Sequence, residues 1–152
     1  VPVDLAAVVE EAVADARAVE PSRTVEVAGV TRAMVTGDRS RLRQVVDNLL
    51  ANVREHTDPA TGVTIRLEAH RRDVVLVVDD DGPGMTEADA TRAFDRFWQA
   101  AATEEHPRRG TGLGLAIVAD LVAAHGGEVG LATAPGAGTR VTIRLPAADP
   151  PR

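Results

Sequence analysis

The sequence predicts an α+β domain, a two-layer sandwich whose mixed, mostly antiparallel sheet is covered on one face by helices. Two observations carry this expectation. The β-branched stretches arrive mostly in pairs, as at 63–70 with 74–80 and at 128–134 with 139–146, rather than alternating singly with helices as in a doubly wound parallel sheet. Two long segments place apolar residues at the i, i+3, i+4 spacing of a single buried face. A chain of 152 residues with 44% apolar content can bury one core, and no repeat of solenoid period is visible. Residues 1–147 are therefore expected to form one domain, with residues 148–152 a disordered tail.

In chain order, Asp4 caps a first helix in which Leu5, Val8, Val9, Ala12, Val13 and Ala16 recur on one face, and Pro21 stops it. The stretches RTVEVAG (23–29) and RAMVTG (32–37) are short, β-branched and closed by Gly, and read as two edge or hairpin strands. Asp38 opens a second helix with Leu42, Val45, Val46, Leu49, Leu50 and Val53 on its inner side. After a turn at TDPATG, VTIRLEAH (63–70) alternates and is expected to be half buried, whereas VVLVVDD (74–80) does not alternate and is expected at the sheet centre. Thr86, with Glu87 and Asp89 in the first turn, starts a short helix running to about Phe94. Residues 95–111 hold no sustained period and are expected to be a mobile loop. The next stretch, GLGLAIVADLVAAHGG (112–127), is helical with Gly126 as its stop, and EVGLATA and TRVTIRLP close the chain as a strand pair around PGAG.

Composition excludes several functions. A net charge of -6 supplies no basic field for nucleic acid. The absence of cysteine removes thiolate nucleophiles, thiolate metal sites and disulfides. Every basic side chain other than His is Arg, so a phosphate-binding or Schiff-base lysine is excluded as well. No apolar run approaches a membrane span and the first residues lack the order of a signal peptide, so no membrane contact is expected of this chain.

Four local features bear on chemistry. Gln44, Asn48 and Asn52 form a polar stripe at i, i+4, i+8 on an otherwise aliphatic helix, where Asn is a poor choice unless its side chain has a task. DDGPG (80–84) ends the central strand with a carboxylate, and Gly82 and Gly84 permit close backbone approach to a ligand. RRGTGLGLAIV (108–118) leads three glycines into a helix whose free amides can meet phosphate oxygens. PGAGTRVTIRLP (135–146) is a turn and a strand. Neither glycine motif has dinucleotide spacing, because position 87 is Glu and position 115 is Leu.

In this order and at these separations the four features resemble the catalytic, ATP-binding domain of bacterial two-component sensor histidine kinases. That domain has the Bergerat fold shared with gyrase-type and mismatch-repair ATPases. RLRQVVDNLLANVREHT (41–57) is similar to the N box, DDGPGM (80–85) to the G1 box, FDRFW (94–98) to the F box, GTGLGLAIV (110–118) to the G2 box and GAGTRVTIRLP (136–146) to the last strand. The resemblance implies ATP and Mg²⁺ as cofactors. It implies Asp80 as the acceptor for adenine's exocyclic amine, a task that suits an acceptor-only carboxylate, and Asn52 as the Mg²⁺ ligand. Asn48 is implied to line the same cleft and to share the catalytic assignment with Asn52. The other nucleotide contacts implied are His56, Gly82, Gly84, Gly110, Thr111, Gly112, Leu113, Gly114 and Thr139, with Arg108 and Arg109 reaching the phosphates from a lid. Phe94, Phe97 and Trp98 are read as packing anchors of that lid.

The same resemblance implies a division of labour. This chain presents the γ-phosphate of ATP to a histidine on a separate helical dimerisation domain, and a response regulator receives the phosphoryl group afterwards. The full-length protein is expected to be anchored in the inner membrane with this part in the cytoplasm, and the isolated chain to be a monomer. Two departures keep alternatives open. Glu55 stands where the family often carries a basic residue, which leaves room for a non-catalytic nucleotide sensor. Asn48 stands where hydrolases of the superfamily place a Glu to activate water, so hydrolysis is expected to be slow. His70, His106 and His125 have no partner spacing for a metal site or a triad and read as surface or helix-end residues.

Overall fold

The computed structural model describes residues 1–94 and 114–148. Its elements are β1 (Pro2–Asp4), α1 (Leu5–Val19), β2 (Val25–Ala28), β3 (Met34–Thr36), α2 (Arg39–His56), β4 (Val63–Ala69), β5 (Asp73–Asp80), α3 (Glu87–Arg92), α4 (Gly114–Ala124), β6 (Glu128–Thr133) and β7 (Thr139–Pro146). The helices begin where their capping residues predict. Asp4 accepts from the Ala6 amide, Asp38 from the Arg41 amide and Thr86 from the Asp89 amide, each satisfying one orphan donor of a first turn. The last helix ends at Gly126, whose φ of 76° lets the Gly127 amide turn back onto the Val122 carbonyl at 2.9 Å.

Five strands form one sheet in the order β2-β4-β5-β7-β6, with β2 parallel to β4 and every other pair antiparallel. The sheet is thus mixed and mostly antiparallel, with β5 at its centre. Alternation along β4, β5 and β7 turns Val63, Ile65, Leu67, Val74, Leu76, Val78, Val141, Ile143 and Leu145 toward one buried face. Against them pack Leu5, Val8 and Val9 of α1, Leu42, Val46 and Leu49 of α2, and Val118 and Val122 of α4. α2 lies between α1 and α4. Each fully buried aliphatic side chain contributes about 1.5–3 kcal/mol. The opposite face carries Arg66, Val77, Thr142 and the pairs Asp79–Arg140 (2.9 Å) and Asp73–Arg144 (2.5 Å).

One expectation is corrected. Of the two alternatives for 25–28 and 34–36, edge strands or a hairpin, the hairpin does not form. β2 is an edge strand of the main sheet, and β3 leaves that sheet to pair antiparallel with β1, a strand the sequence reading did not foresee. The reason lies in Asp4, whose carboxylate accepts from the Ala33 amide as well as from its own helix, while the Leu5 amide donates to the Ala33 carbonyl. These bonds draw 33–36 alongside the start of α1. The residues between β2 and β4, α2 included, then serve as the long crossover that a parallel pair needs.

Candidate nucleotide-binding site

Strand alternation separates the three consecutive aspartates. Asp79 points to the open face and pairs with Arg140, Asp81 is exposed, and Asp80 points to the helix side with 7% of its surface exposed. Asp80 lies between Val63 of β4 and Thr139 of β7 in register. Its carboxylate accepts from the Gly82 amide at 2.9 Å and from the Thr139 amide. Burial pushes its pKa up, the two amides oppose that shift, and the charges of Asp79 and Asp81 add to it. The result is a buried acceptor at the mouth of the central strand.

The turn that follows is built against the β6–β7 connection. The Gly136 amide donates to the Pro83 carbonyl (2.7 Å), the Met85 amide to Thr133 Oγ1 (2.9 Å), and Thr133 Oγ1 to the Gly138 carbonyl (2.9 Å). Thr139, also buried, shares a 3.0 Å contact with the Thr133 hydroxyl. Gly84 has a φ of 69°, and a Cβ there would overlap the Ala134 carbonyl oxygen, so this position is closed to other residues by both conformation and space.

On α2, Asn48 and Asn52 lie one turn apart. The Asn48 side-chain Nδ2 is buried and, among the described residues, has no hydrogen-bond acceptor. Gly114, the first residue of α4, stands beside the Asn48 carbonyl, which a Cβ would meet at 4.0 Å. Asn52 and His56 follow along α2, both partly buried, and burial lowers the His56 pKa while the Glu55 charge opposes the shift. Asp47 faces away and pairs with Arg43 at 2.9 Å. Among the described residues no group of three or more His, Asp or Glu could hold a metal ion.

The structure thus brings Asp80, Gly82, Gly84 and Thr139 into one connected cluster and joins Asn48 to Gly114 across α2 and α4. Arg108, Arg109, Gly110, Thr111, Gly112 and Leu113, with Phe97, Trp98 and His106, lie outside the described residues. Phe94 packs partly buried on the core. His125 closes a helix end, its Nδ1 donating to the Leu121 carbonyl (2.8 Å) and its Nε2 accepting from the Asp38 amide (3.2 Å). His70 is exposed beside Glu68. Sequence reasoning passed over Arg23, Thr57, Thr133 and Gly138, which hold the turn from behind. Of these, Thr57 gave a signal, as a hydroxyl residue just beyond a helix C-terminus.

A family model described as "Histidine kinase-, DNA gyrase B-, and HSP90-like ATPase" matches residues 37–149, most of the chain. The chain belongs to this family. It is 40% identical over 146 residues to the probable sensor histidine kinase TcrY of Mycobacterium tuberculosis, covering 95% of this chain and 30% of that protein. A solved structure of the mycobacterial sensor histidine kinase MprB superposes with a TM-score of 0.85 at 32% identity, covering 97% of this chain and 98% of that one. The ATP-binding domain of PrrB from Mycobacterium tuberculosis superposes at 0.79 with 30% identity and 98% coverage of both chains. The fold is therefore the one the motifs imply, and the chain is an ATP-binding catalytic domain of the sensor-histidine-kinase type. It spans about a third of the length of the curated kinases it matches first.

Proposed function

We propose that this domain binds Mg²⁺-ATP in the cleft between α2, the turn after β5 and the start of α4, and presents the γ-phosphate to a histidine on a separate dimerisation domain of the same full-length protein. The observation that carries this reading is a buried carboxylate acceptor at the end of β5 together with a buried donor on α2, unpartnered among the described residues. Asp80 is a buried acceptor at a glycine turn, suited to the exocyclic amine of adenine, and Asn48 holds a buried donor with no partner among the described residues. Asn52 would hold Mg²⁺ through its amide oxygen, an arrangement suited to a cation that keeps waters and phosphate oxygens. Bound there, the ion would offset phosphate charge. Gly82, Gly84, His56 and Thr139 border the base. Arg108 and Arg109, with Gly110, Thr111, Gly112, Leu113 and Gly114, are assigned to the phosphates, the amides at a helix start being ready-made donors. The phosphoryl group passes from ATP to an imidazole nitrogen of the acceptor domain, leaving ADP, and then to a response regulator. The domain works in the cytoplasm, where ATP is available, on a protein anchored in the inner membrane.

Two other readings are weighed by the same cleft. Asn48 cannot take a proton from water, which argues against hydrolysis as the main activity. Glu55 supplies no positive charge toward phosphate, which favours the non-catalytic sensor to that extent.

The deciding experiment measures ATP, ADP and GTP binding by calorimetry, and then transfer of label from ATP to an added phosphoacceptor domain. Binding of ATP and ADP but not GTP, transfer to the acceptor and negligible label release without it are expected. Asp80→Asn weakens ATP binding by about 1.5–3 kcal/mol. Binding without transfer would establish the sensor, and rapid release of phosphate by the chain alone would establish the hydrolase.

A further inference from the structure

Behind the turn that carries Asp80 lies a buried arginine. Arg23, 7% exposed, belongs to the short connection between α1 and β2. Its guanidinium pairs with Glu20 through Nε, donates to Thr57 Oγ1 at 2.8 Å and donates to the Thr61 carbonyl at 2.9 Å, while Nη2 is buried with no partner among the described residues. A buried cation with one carboxylate is costly to keep, and core packing alone would favour an aliphatic residue there.

Both of its longer contacts lead to the residues that follow Asp80. Thr57 caps the C-terminus of α2 and donates its own hydroxyl to the Val53 carbonyl at 2.5 Å, so with the bond from Arg23 its rotamer is fixed from both sides. That rotamer sets the Thr57 methyl against Gly82, where an added Cβ would lie 2.6 Å from the methyl carbon and 2.8 Å from Asp80 Oδ1. Gly82 in turn donates its amide to Asp80. The second route runs through the backbone. Arg23 holds the Thr61 carbonyl, and the carbonyl of the next residue, Gly62, accepts from the Asp81 amide at 3.1 Å. One side chain therefore fixes the neighbours of Asp81 and of Gly82, the two residues immediately after the acceptor.

We infer that Arg23 is a positioning residue for adenine recognition: through Thr57 and the Thr61–Gly62 backbone it holds the Asp80 carboxylate at the angle that selects an amino group on the base. This rests on the reading of Asp80 as the adenine acceptor. Arg23 touches no nucleotide. Its effect falls on the bond to the 6-amino group and spares the phosphates, which α2 and α4 hold from the other side of the cleft.

The test compares binding of ATP with binding of purine riboside triphosphate, which lacks only the 6-amino group, for the unsubstituted chain and for Arg23→Met, Asp80→Asn and their double variant. Arg23→Met is expected to weaken ATP binding about tenfold, the loss of one buried hydrogen bond, and to weaken binding of the analogue less than about twofold, so that discrimination between the two collapses. In the double variant the loss should match that of Asp80→Asn alone, as for groups that act as a unit. Equal weakening of both ligands, or unchanged ATP affinity in a folded Arg23→Met chain, would overturn the inference. If circular dichroism shows that Arg23→Met does not fold, Thr57→Ala, which removes the methyl from Gly82, must lose the same discrimination, and retained discrimination overturns the inference as well. Asp80→Asn separates the two levels of the argument. If it leaves discrimination intact, the assignment of Asp80 fails and the role of Arg23 falls with it, whereas if it abolishes discrimination and Arg23→Met does not, only the role of Arg23 is lost.

Discussion

Two arginines on the helical layer stand in opposite circumstances. Arg43, on the outer face of α2, lies within reach of Glu11, Asp15 and Asp47, with 25% of its side chain and about half or more of each partner exposed. Arg23 has a single carboxylate, Glu20, and two neutral acceptors in the interior. Counted as ion pairs, Arg43 is the better connected. Yet its partners are in water, where screening and side-chain entropy leave little net gain. Arg23 ties the buried Thr57 hydroxyl and the Thr61 carbonyl together from the interior. The number of ionic contacts is thus a poor measure of what a charge does, and the groups it immobilises are a better one.

The largest expected effect tests the packed side of this contrast. Gly84→Val places a β-branched residue at positive φ against the Ala134 carbonyl and should cost more than about 3 kcal/mol or prevent folding, as read by urea unfolding and soluble yield. Arg23→Met should cost about 2–4 kcal/mol, measured by the same unfolding curves. A cost no greater than that of Arg43→Ala would erase the distinction between the two arginines.

Asp80→Asn sharpens the comparison from another side. Because burial raises the Asp80 pKa in the folded state, the native protein holds this proton longer than the unfolded chain. The associated stability is fully present below the ordinary Asp range and is lost as pH rises through the raised value. At pH 7 the ionised carboxylate is therefore a burden, and Asp80→Asn should melt higher, by about 2–4 °C for each kcal/mol recovered, while binding ATP more weakly. An unchanged or lower midpoint would mean that its amide donors outweigh burial. His56 has the reverse sign. Burial depresses its pKa, so its contribution is present above the ordinary His range and is lost as pH falls from there through the lowered value, and His56→Gln should flatten this part of the pH–stability profile. The smallest effect is expected of Arg43→Ala, within about 1 kcal/mol and shrinking further in 0.5 M salt.

Much of this architecture is readable from side-chain chemistry that acts over a few residues. The caps at Asp4, Asp38 and Thr86, the stop at Gly126 and the inward faces of α1 and α2 depend on near neighbours, and each stands where its pattern places it. Asp80 was legible for the same reason, since it ends an apolar strand at a glycine turn. The partners of β2 and β3 were not. β1 and β3 are three residues each, too short to show a period, and the parallel pairing of β2 with β4 depends on how α2 packs across the interval. Arg23 was invisible because the contacts that bury it, to Thr57 and Thr61, lie 34 and 38 residues away, and a Glu three residues off does not separate a buried arginine from a solvated one.

β3 has a consequence for how load passes through the molecule. Val35 is paired with Val3 on one side and bridged to Ala147 on the other, and the Ala148 amide donates to the Met34 carbonyl. Residues 3 and 147 are therefore about two strand spacings apart, ~10 Å, on a strand that belongs to the small sheet and not to the one bearing Asp80. A pull at residue 3 or at residue 147 would be shared through β3 between the start of α1 and the end of β7, which runs beside β5.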